Sequence, residues 1–282
     1  MRSSLFLSRL LSFLSSLAAA GATGRQALPR LLAAAARRAG GRALDLVYPG
    51  FCRECGAGAG GSEPFCPPCA AKVRWITGAC SRCGHPAPNP GPGPCGECAG
   101  RTLFFDRAAA AAEYTGPWRT AVLRFKYTGD QGLREVLVAA LEDTMGRLFP
   151  NGPPAAIVPV PAHPWRKLLR GRDPVEELAA ALALRKRIPL RLLLQRVRWI
   201  PSQTSLPRSR RLRNPRGAYR LRWLYRRQGR GPRPGPPCLS ASVLLVDDVL
   251  TTCATAAECA RVLKRAGVGE IGVAALARSP AI

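Results

Sequence analysis

Four C-x-x-C pairs constrain this chain more than any other feature: Cys52/Cys55, Cys66/Cys69, Cys80/Cys83 and Cys95/Cys98. Two residues between thiolates let one tight turn aim both sulfurs at a single ion, and two such turns build a tetrahedral cage suited to Zn²⁺. The spacing points to metal rather than disulfides. It predicts two structural zincs, one on the first two pairs and one on the last two. Four thiolates leave no position for water, so neither zinc is expected to catalyse. His85 follows the third pair and reads as a bystander, because cysteines already fill that site. Gly56, Gly84 and Gly96 lie beside three of the pairs, where a left-handed residue is often needed. With few large apolar residues, the module must be folded by its metal.

The length of 282 residues suggests about two domains. We divide the chain into a basic leader (1–43), a double zinc ribbon (44–103) and an α/β domain (104–282) containing a basic loop (196–238). Lys and Arg number 43 against 17 Asp and Glu, a net charge of +26. Such a charge favours phosphates, nucleic acid or a membrane surface as partners, although a composition rich in Arg, Ala, Gly and Pro also arises without any partner. The leader has no acid before Asp45, and its apolar run Leu10–Ala20 is broken by serines, too short and polar for a membrane span. It mimics a secretory signal or a transit peptide. A disordered extension or an upstream start fits better, because metal-binding thiolates need a reducing compartment. A cytoplasmic location is therefore expected.

Beyond residue 104, apolar runs alternate with helical patterns, the mark of an α/β domain with a mainly parallel sheet. Strands are predicted at Ala108–Tyr114, Ala155–Pro161, Leu190–Leu194, Ser242–Val246 and Ile271–Leu276, the last closing the sheet. Helices are predicted at Trp118–Lys126, Leu133–Leu148, Val175–Arg187 (with Asp173 as N-cap and Pro174 at its first position) and from Thr255 or Ala256 to Arg265, ended by Gly267.

The chemistry sits where the apolar strand Val243–Val246 runs into Asp247-Asp248-Val-Leu-Thr251-Thr252-Cys253-Ala254-Thr255. A loop entering a helix offers free N–H groups and the positive dipole end to a phosphate. Thr251, Thr252 and Thr255 add hydroxyls. Two adjacent carboxylates can accept hydrogen bonds from a ribose diol or help hold Mg²⁺. A capped turn with acids near a helix dipole is the plainer alternative.

This stretch resembles the phosphoribosyl pyrophosphate motif of type I phosphoribosyltransferases. Residues 44–278 resemble the ComF proteins, which join a double zinc ribbon to a phosphoribosyltransferase-like domain and are associated with DNA uptake. The likeness runs through Leu46–Pro49, the cysteine pairs, Phe125-Lys126-Tyr127-x-Gly129-Asp130 and Val158-Pro-Val-Pro-x-His163-Pro-x-Arg166. It continues through Arg170-Gly171, Gln203-x-x-Leu206, Arg211-x-x-Asn214-x-x-Gly217-Ala218-Tyr219, the acidic motif and Ala277-Arg278. It implies that Asp247 and Asp248 hold the ribose and that the Thr251–Thr255 stretch, Cys253 and Ala254 included, holds the 5′-phosphate. Lys126, Arg166, Arg170 and Arg211 would neutralise a magnesium-bound pyrophosphate. Either the chain binds this donor in the service of DNA uptake, or it transfers the ribose phosphate to a nitrogen acceptor.

Two positions depart from the family pattern. Cys253 replaces the glycine of the phosphate loop, putting a side chain where backbone should meet phosphate and where positive φ is resisted. A thiol at a helix start could alternatively act as a redox sensor. Arg172-Asp173-Pro174 replaces the usual Phe-Asn-Gln. The basic segment, with Trp199, Tyr219, Trp223 and Tyr225 among its arginines, suits either a lid carrying Arg211 or a groove for single-stranded DNA.

Overall fold

The computed structural model describes residues 50–59, 63–87, 91, 93–198, 215–225 and 241–280. The leader, Arg211 and most of the basic segment lie outside the described residues, as do the side chains of Arg166 and Leu224.

The first ribbon contains a short hairpin, β1 (Gly50–Phe51) and β2 (Gly58–Ala59), and a helical turn, α1 (Pro67–Ala70). The α/β domain follows as β3 (Arg107–Glu113), α2 (Gly116–Thr128), α3 (Arg134–Leu148), β4 (Ala156–Pro159), α4 (Pro164–Arg170) and α5 (Pro174–Lys186). It continues with β5 (Leu194–Arg196), β6 (Tyr219–Leu221), β7 (Ser242–Leu250), α6 (Ala254–Arg265) and β8 (Glu270–Arg278). A parallel four-stranded sheet runs in the order β3-β8-β7-β4. Asp173 caps α5 through its Oδ1, which accepts from the Glu176 amide at 3.3 Å, and Pro174 opens the helix.

Two strand expectations are corrected. β8 does not close the sheet but lies inside it, between β3 and β7. Ile271 and Val273–Ala277 are all buried, so β8 needs cover on both faces, which an inner position supplies. Of the strand expected at Leu190–Leu194, only Leu190 bridges the sheet, beside Ile157. Leu193 and Leu194 instead turn into the core beside Tyr219, and β5 pairs antiparallel with β6 in a separate ribbon.

Alternation along the strands sends Ile157, Leu244, Val246 and Leu276 to one face and Val158, Val243, Leu245 and Val273 to the other. α2, α3 and α5 cover the first face together with Cys52, Phe65, Cys66 and Cys69 of the first ribbon. α6 covers the second together with Cys80, Cys83 and Cys98 of the second ribbon and Ile76 just before it. Between the ribbons, residues 74–76 add to the free edge of β3: the Ile76 amide donates to the Ala111 carbonyl at 3.0 Å and the Glu113 amide to the Arg74 carbonyl at 2.9 Å. The zinc module thus straddles the sheet and shields an edge otherwise open to pairing.

Candidate functional site

The eight cysteines form two clusters, Cys52/Cys55/Cys66/Cys69 and Cys80/Cys83/Cys95/Cys98, with ligand atoms all within 4.8 Å of one another. Sulfur separations are 3.7 Å for Cys55–Cys66, 3.8 Å for Cys80–Cys98, 3.5 Å for Cys83–Cys95 and 3.9 Å for Cys95–Cys98. A tetrahedron with Zn–S bonds of about 2.3 Å has edges of about 3.8 Å, so both donor sets fit zinc. His85 belongs to neither cluster. Gly56 (φ 75°) and Gly84 (φ 67°) take the left-handed conformation as expected, but beside the fourth pair Gly100 (φ 68°) does so rather than Gly96.

The second site lies at the carboxyl end of β7. Pairing with β4 stops at Val246 opposite Pro159, whereas pairing with β8 continues to Leu250 opposite Arg278. A crevice therefore opens beside Asp247 and Asp248, where ligands of parallel sheets bind. The cavity, about 190 Å³, is lined by Lys126, Arg170, Asp247, Asp248, Thr251 and Thr255 among the residues picked out by sequence. Tyr114, Asp173, Arg196 and Tyr219 also line it. The structure thus brings together residues from α2, α4, β7, α6 and the β5–β6 ribbon. Thr252, Cys253 and Ala254 are not part of its lining; Ala254 faces a separate cleft.

Lys126 donates to Oδ2 of Asp248. Burial pushes the Asp247 carboxyl up, and the adjacent Asp248 charge adds to this, bringing it to about 8. Burial works against ionised Asp248 too, but the Lys126 charge and hydrogen bond outweigh it and hold that carboxyl below the usual range. Burial likewise lowers Lys126, and Asp248 more than restores it. Burial and the Asp248 charge therefore favour the protonated form of Asp247, while Lys126 favours the ionised form of Asp248. Such a site can donate one hydrogen bond and accept others, and a bound cation would expel the proton.

The phosphate-type loop is held from behind by two arginines. Arg278, 1% exposed, donates through Nη1 to the Leu250 carbonyl at 3.0 Å and to the Thr251 carbonyl. Arg101 donates through Nη2 to the Thr252 carbonyl. C=O and N–H point oppositely across a trans peptide. Fixing the Thr251 and Thr252 carbonyls on the protein side therefore turns the amides of Thr252 and Cys253 away from it.

Cys253 takes φ 58°, the left-handed conformation that glycine adopts most easily. Its side chain does not enter the cavity, contrary to expectation. It is 2% exposed and its thiol donates to the Cys83 carbonyl at 3.5 Å. The redox-sensor alternative fails on the same ground: burial raises this thiol despite the nearby Arg278 and Arg101, whereas a reactive thiol must be exposed and acidic. Arg172-Asp173-Pro174 has structural work of its own. Arg172 donates to the Phe125 carbonyl at 2.7 Å and lies over the Phe125 ring. Asp173 also accepts from the Ala162 amide at 3.1 Å, tying the cavity wall to α5.

A second cleft, about 710 Å³, runs along α6 on the side of the second ribbon. Arg101, Phe104, Arg216, Arg261 and Arg265 line it, with Glu258 as the one acid among the described lining residues. Glu258 is taken up by Arg261, at 2.6 and 2.8 Å, and by the Gly217 amide at 2.7 Å.

Fold and sites together define a double zinc ribbon built into a parallel-sheet α/β domain, with an acidic pair and a helix-entering loop at one strand end. Residues 43–99 match the model of the double zinc ribbon domain. The chain is 30% identical over 239 residues to DNA utilization protein YhgH of Salmonella typhi, covering 83% of this chain and 99% of that protein. It is 27% identical over 246 residues to competence protein F of Haemophilus influenzae, covering 84% and 93%. The chain belongs to this ComF/YhgH family. Solved structures with partial likeness include orotate phosphoribosyltransferase from Aeropyrum pernix, at 20% identity and TM-score 0.31, over 52% of this chain and 60% of that one. Another is the allosteric regulatory enzyme of purine biosynthesis, at 17% identity and TM-score 0.33, over 55% and 30%.

Proposed function

We propose that the cavity binds phosphoribosyl pyrophosphate with Mg²⁺, and that the protein acts in the cytoplasm in DNA uptake. The carrying observation is the convergence of Asp247, Asp248, Thr251, Thr255, Lys126 and Arg170 on one cavity at a strand's carboxyl end. In this reading the carboxylates take the ribose hydroxyls and a share of the metal. The Thr251–Thr255 turn takes the 5′-phosphate, with the α6 dipole behind it. Lys126 and Arg170 face the pyrophosphate, joined by Arg166 and Arg211 as the family resemblance implies. The name of the Haemophilus relative supports the uptake role. So does the arginine-lined cleft, with Phe104 43% exposed in a left-handed conformation beside it. Guanidinium groups grip phosphodiesters and an aromatic ring stacks a base. Single-stranded DNA is the partner this surface suits.

Calorimetry of phosphoribosyl pyrophosphate with and without Mg²⁺ tests the site. Magnesium-dependent binding, lost in the Asp247→Asn/Asp248→Asn variant, is expected; binding that survives that variant refutes the assignment. Release of pyrophosphate with one nucleobase among a panel would establish transfer. Lys126 and Arg170, two cations that line the cavity, favour that second reading.

A further inference from the structure

Among the described residues, the hydrogen bonds that join the zinc module to the phosphate-type loop come from the second ribbon and the residues just after it. Arg101, three residues past Cys98, sends Nη2 to the Thr252 carbonyl and Nη1 to the Glu97 carbonyl, at 3.0 Å, within the Cys95–Cys98 turn. Arg82, within the Cys80–Cys83 turn, donates to the Arg101 carbonyl at 2.9 Å. The Cys83 carbonyl receives the Cys253 thiol at 3.5 Å. The same turn is fixed to the sheet, because the Ala108 amide donates to the Ser81 carbonyl at 3.3 Å. Gly84 sits so close that an added Cβ would lie 3.1 Å from the Ala108 carbonyl oxygen. The first ribbon instead holds α2 and the turn after it, through Arg53 to Asp130 at 3.2 Å and Arg124 to the Arg53 carbonyl at 3.2 Å.

We infer that the second ribbon is a brace for the phosphate-type loop, with Arg101 as its strut, so that ribose-phosphate affinity depends on the metal held by Cys80, Cys83, Cys95 and Cys98. The chain of contacts is short and directional. The metal fixes the two cysteine turns, the Glu97 carbonyl aims the Arg101 guanidinium, and the guanidinium fixes the Thr252 carbonyl. That contact sets the plane of the Thr252–Cys253 peptide, between the cavity-lining Thr251 and Thr255. Cys253 adds the second fastening: a residue in the left-handed conformation is anchored by its own side chain, where a glycine has none to anchor. Arg101 is a positioning residue, since it reaches the ligand only through the loop. The inference rests on the proposed ligand for its affinity arm, but its conformational arm does not.

The test uses the full-length zinc-loaded protein and the variants Arg101→Met, which keeps the stem and loses the donors, and Arg101→Lys. Zinc content should be unchanged in both. In Arg101→Met, hydrogen exchange at the first bonded amide of α6, Ala257, which donates to the Cys253 carbonyl at 2.8 Å, should rise, and magnesium–phosphoribosyl pyrophosphate affinity should fall about tenfold, the loss of one charge-assisted hydrogen bond. Arg101→Lys should restore part of both. Unchanged exchange and unchanged affinity in Arg101→Met, with zinc retained, would overturn the brace. If the wild-type protein binds no ribose phosphate, the functional reading fails, while the exchange comparison still decides the brace on its own. A variant that loses zinc as well as exchange protection would make Arg101 a ribbon-folding residue and also overturn the inference.

Discussion

Lys126 and Asp248 join α2 to the end of β7 across 122 residues of sequence, and this bond sets the charge state of the cavity. Both side chains are largely shielded, at 26% and 17% exposure. Replacing Lys126 by Met leaves a shielded carboxylate without its cation. Asp248 should then titrate higher, ligand affinity should fall at least about tenfold, and stability should drop by about 1–3 kcal/mol. Urea denaturation with calorimetry checks both effects.

Asp247 and Asp248 should give opposite pH dependences. Asp247, raised to about 8, keeps its proton in the folded protein while the unfolded chain loses it near 4. Its contribution is therefore fully present below about 4 and is lost as pH rises towards 8, at no more than about 1.4 kcal/mol per pH unit. Asp248, lowered by Lys126, contributes above its unfolded value and loses that contribution on acidification through its folded value. Asp247→Asn should flatten the decline between pH 5 and pH 8 in urea denaturation midpoints. Calorimetry of the wild-type protein in buffers of different ionisation enthalpy should show proton release when magnesium–phosphoribosyl pyrophosphate binds at neutral pH. Zero proton release would mean that Asp247 stays protonated in the complex.

Zinc removal should unfold more than the ribbons. Cys52, Cys66 and Cys69 belong to the core on one sheet face, and Cys80, Cys83 and Cys98 to the core on the other. A chelator strong enough to strip both sites should abolish the cooperative thermal transition, with two zinc ions released per chain, one for each cluster. Survival of a full α/β transition after metal loss would show the domain to be independent of its ribbons.

Gly84→Ala should cost about 1–3 kcal/mol. The residue has φ 67°, and an added Cβ would meet backbone atoms of β3, the Ala108 oxygen at 3.1 Å and the Ala109 Cα at 3.2 Å. Backbone cannot move aside as a flexible side chain would. Gly56→Ala, at φ 75° with open space around it, supplies the control: it carries the conformational strain alone and should cost less. Thermal melts of the two variants separate strain from collision.

Local patterns made much of this legible in the sequence. The cysteine spacing located both cages, and the change from an apolar run to Asp-Asp and threonines located the cavity, because each is written in contiguous residues. Even β3, five alanines in a row with high helix propensity, was readable as a strand from its place in the alternation. What was hidden depends on distant partners. The inner place of β8 follows from which faces are covered, not from its own residues. The sequence marked Cys253 as a misplaced side chain because nothing in it reveals that the Cys83 carbonyl, 170 residues earlier, waits behind the loop. Arg172 and Asp173 looked like lost ligand contacts, whereas their partners are the Phe125 carbonyl and the Ala162 amide. Arg101 carried no sequence signal beyond its nearness to Cys98.

Single-stranded DNA, if it lies along the arginine-lined cleft, should feel Arg216 and Arg265 most. Arg261 is already engaged by Glu258, and Arg101 by the Glu97 and Thr252 carbonyls, so those two cations have less to offer a phosphate. The double variant Arg216→Ala/Arg265→Ala should bind oligonucleotides more weakly across all sequences. The slope of log affinity against log salt should become shallower by about 1.4, at about 0.7 for each phosphate contact on a single strand. Phe104→Ala should weaken binding with little change in slope, because stacking releases no counterions. Fluorescence anisotropy across a salt series measures both quantities at once. A slope unchanged in the arginine variant would place the DNA elsewhere on this strongly basic chain.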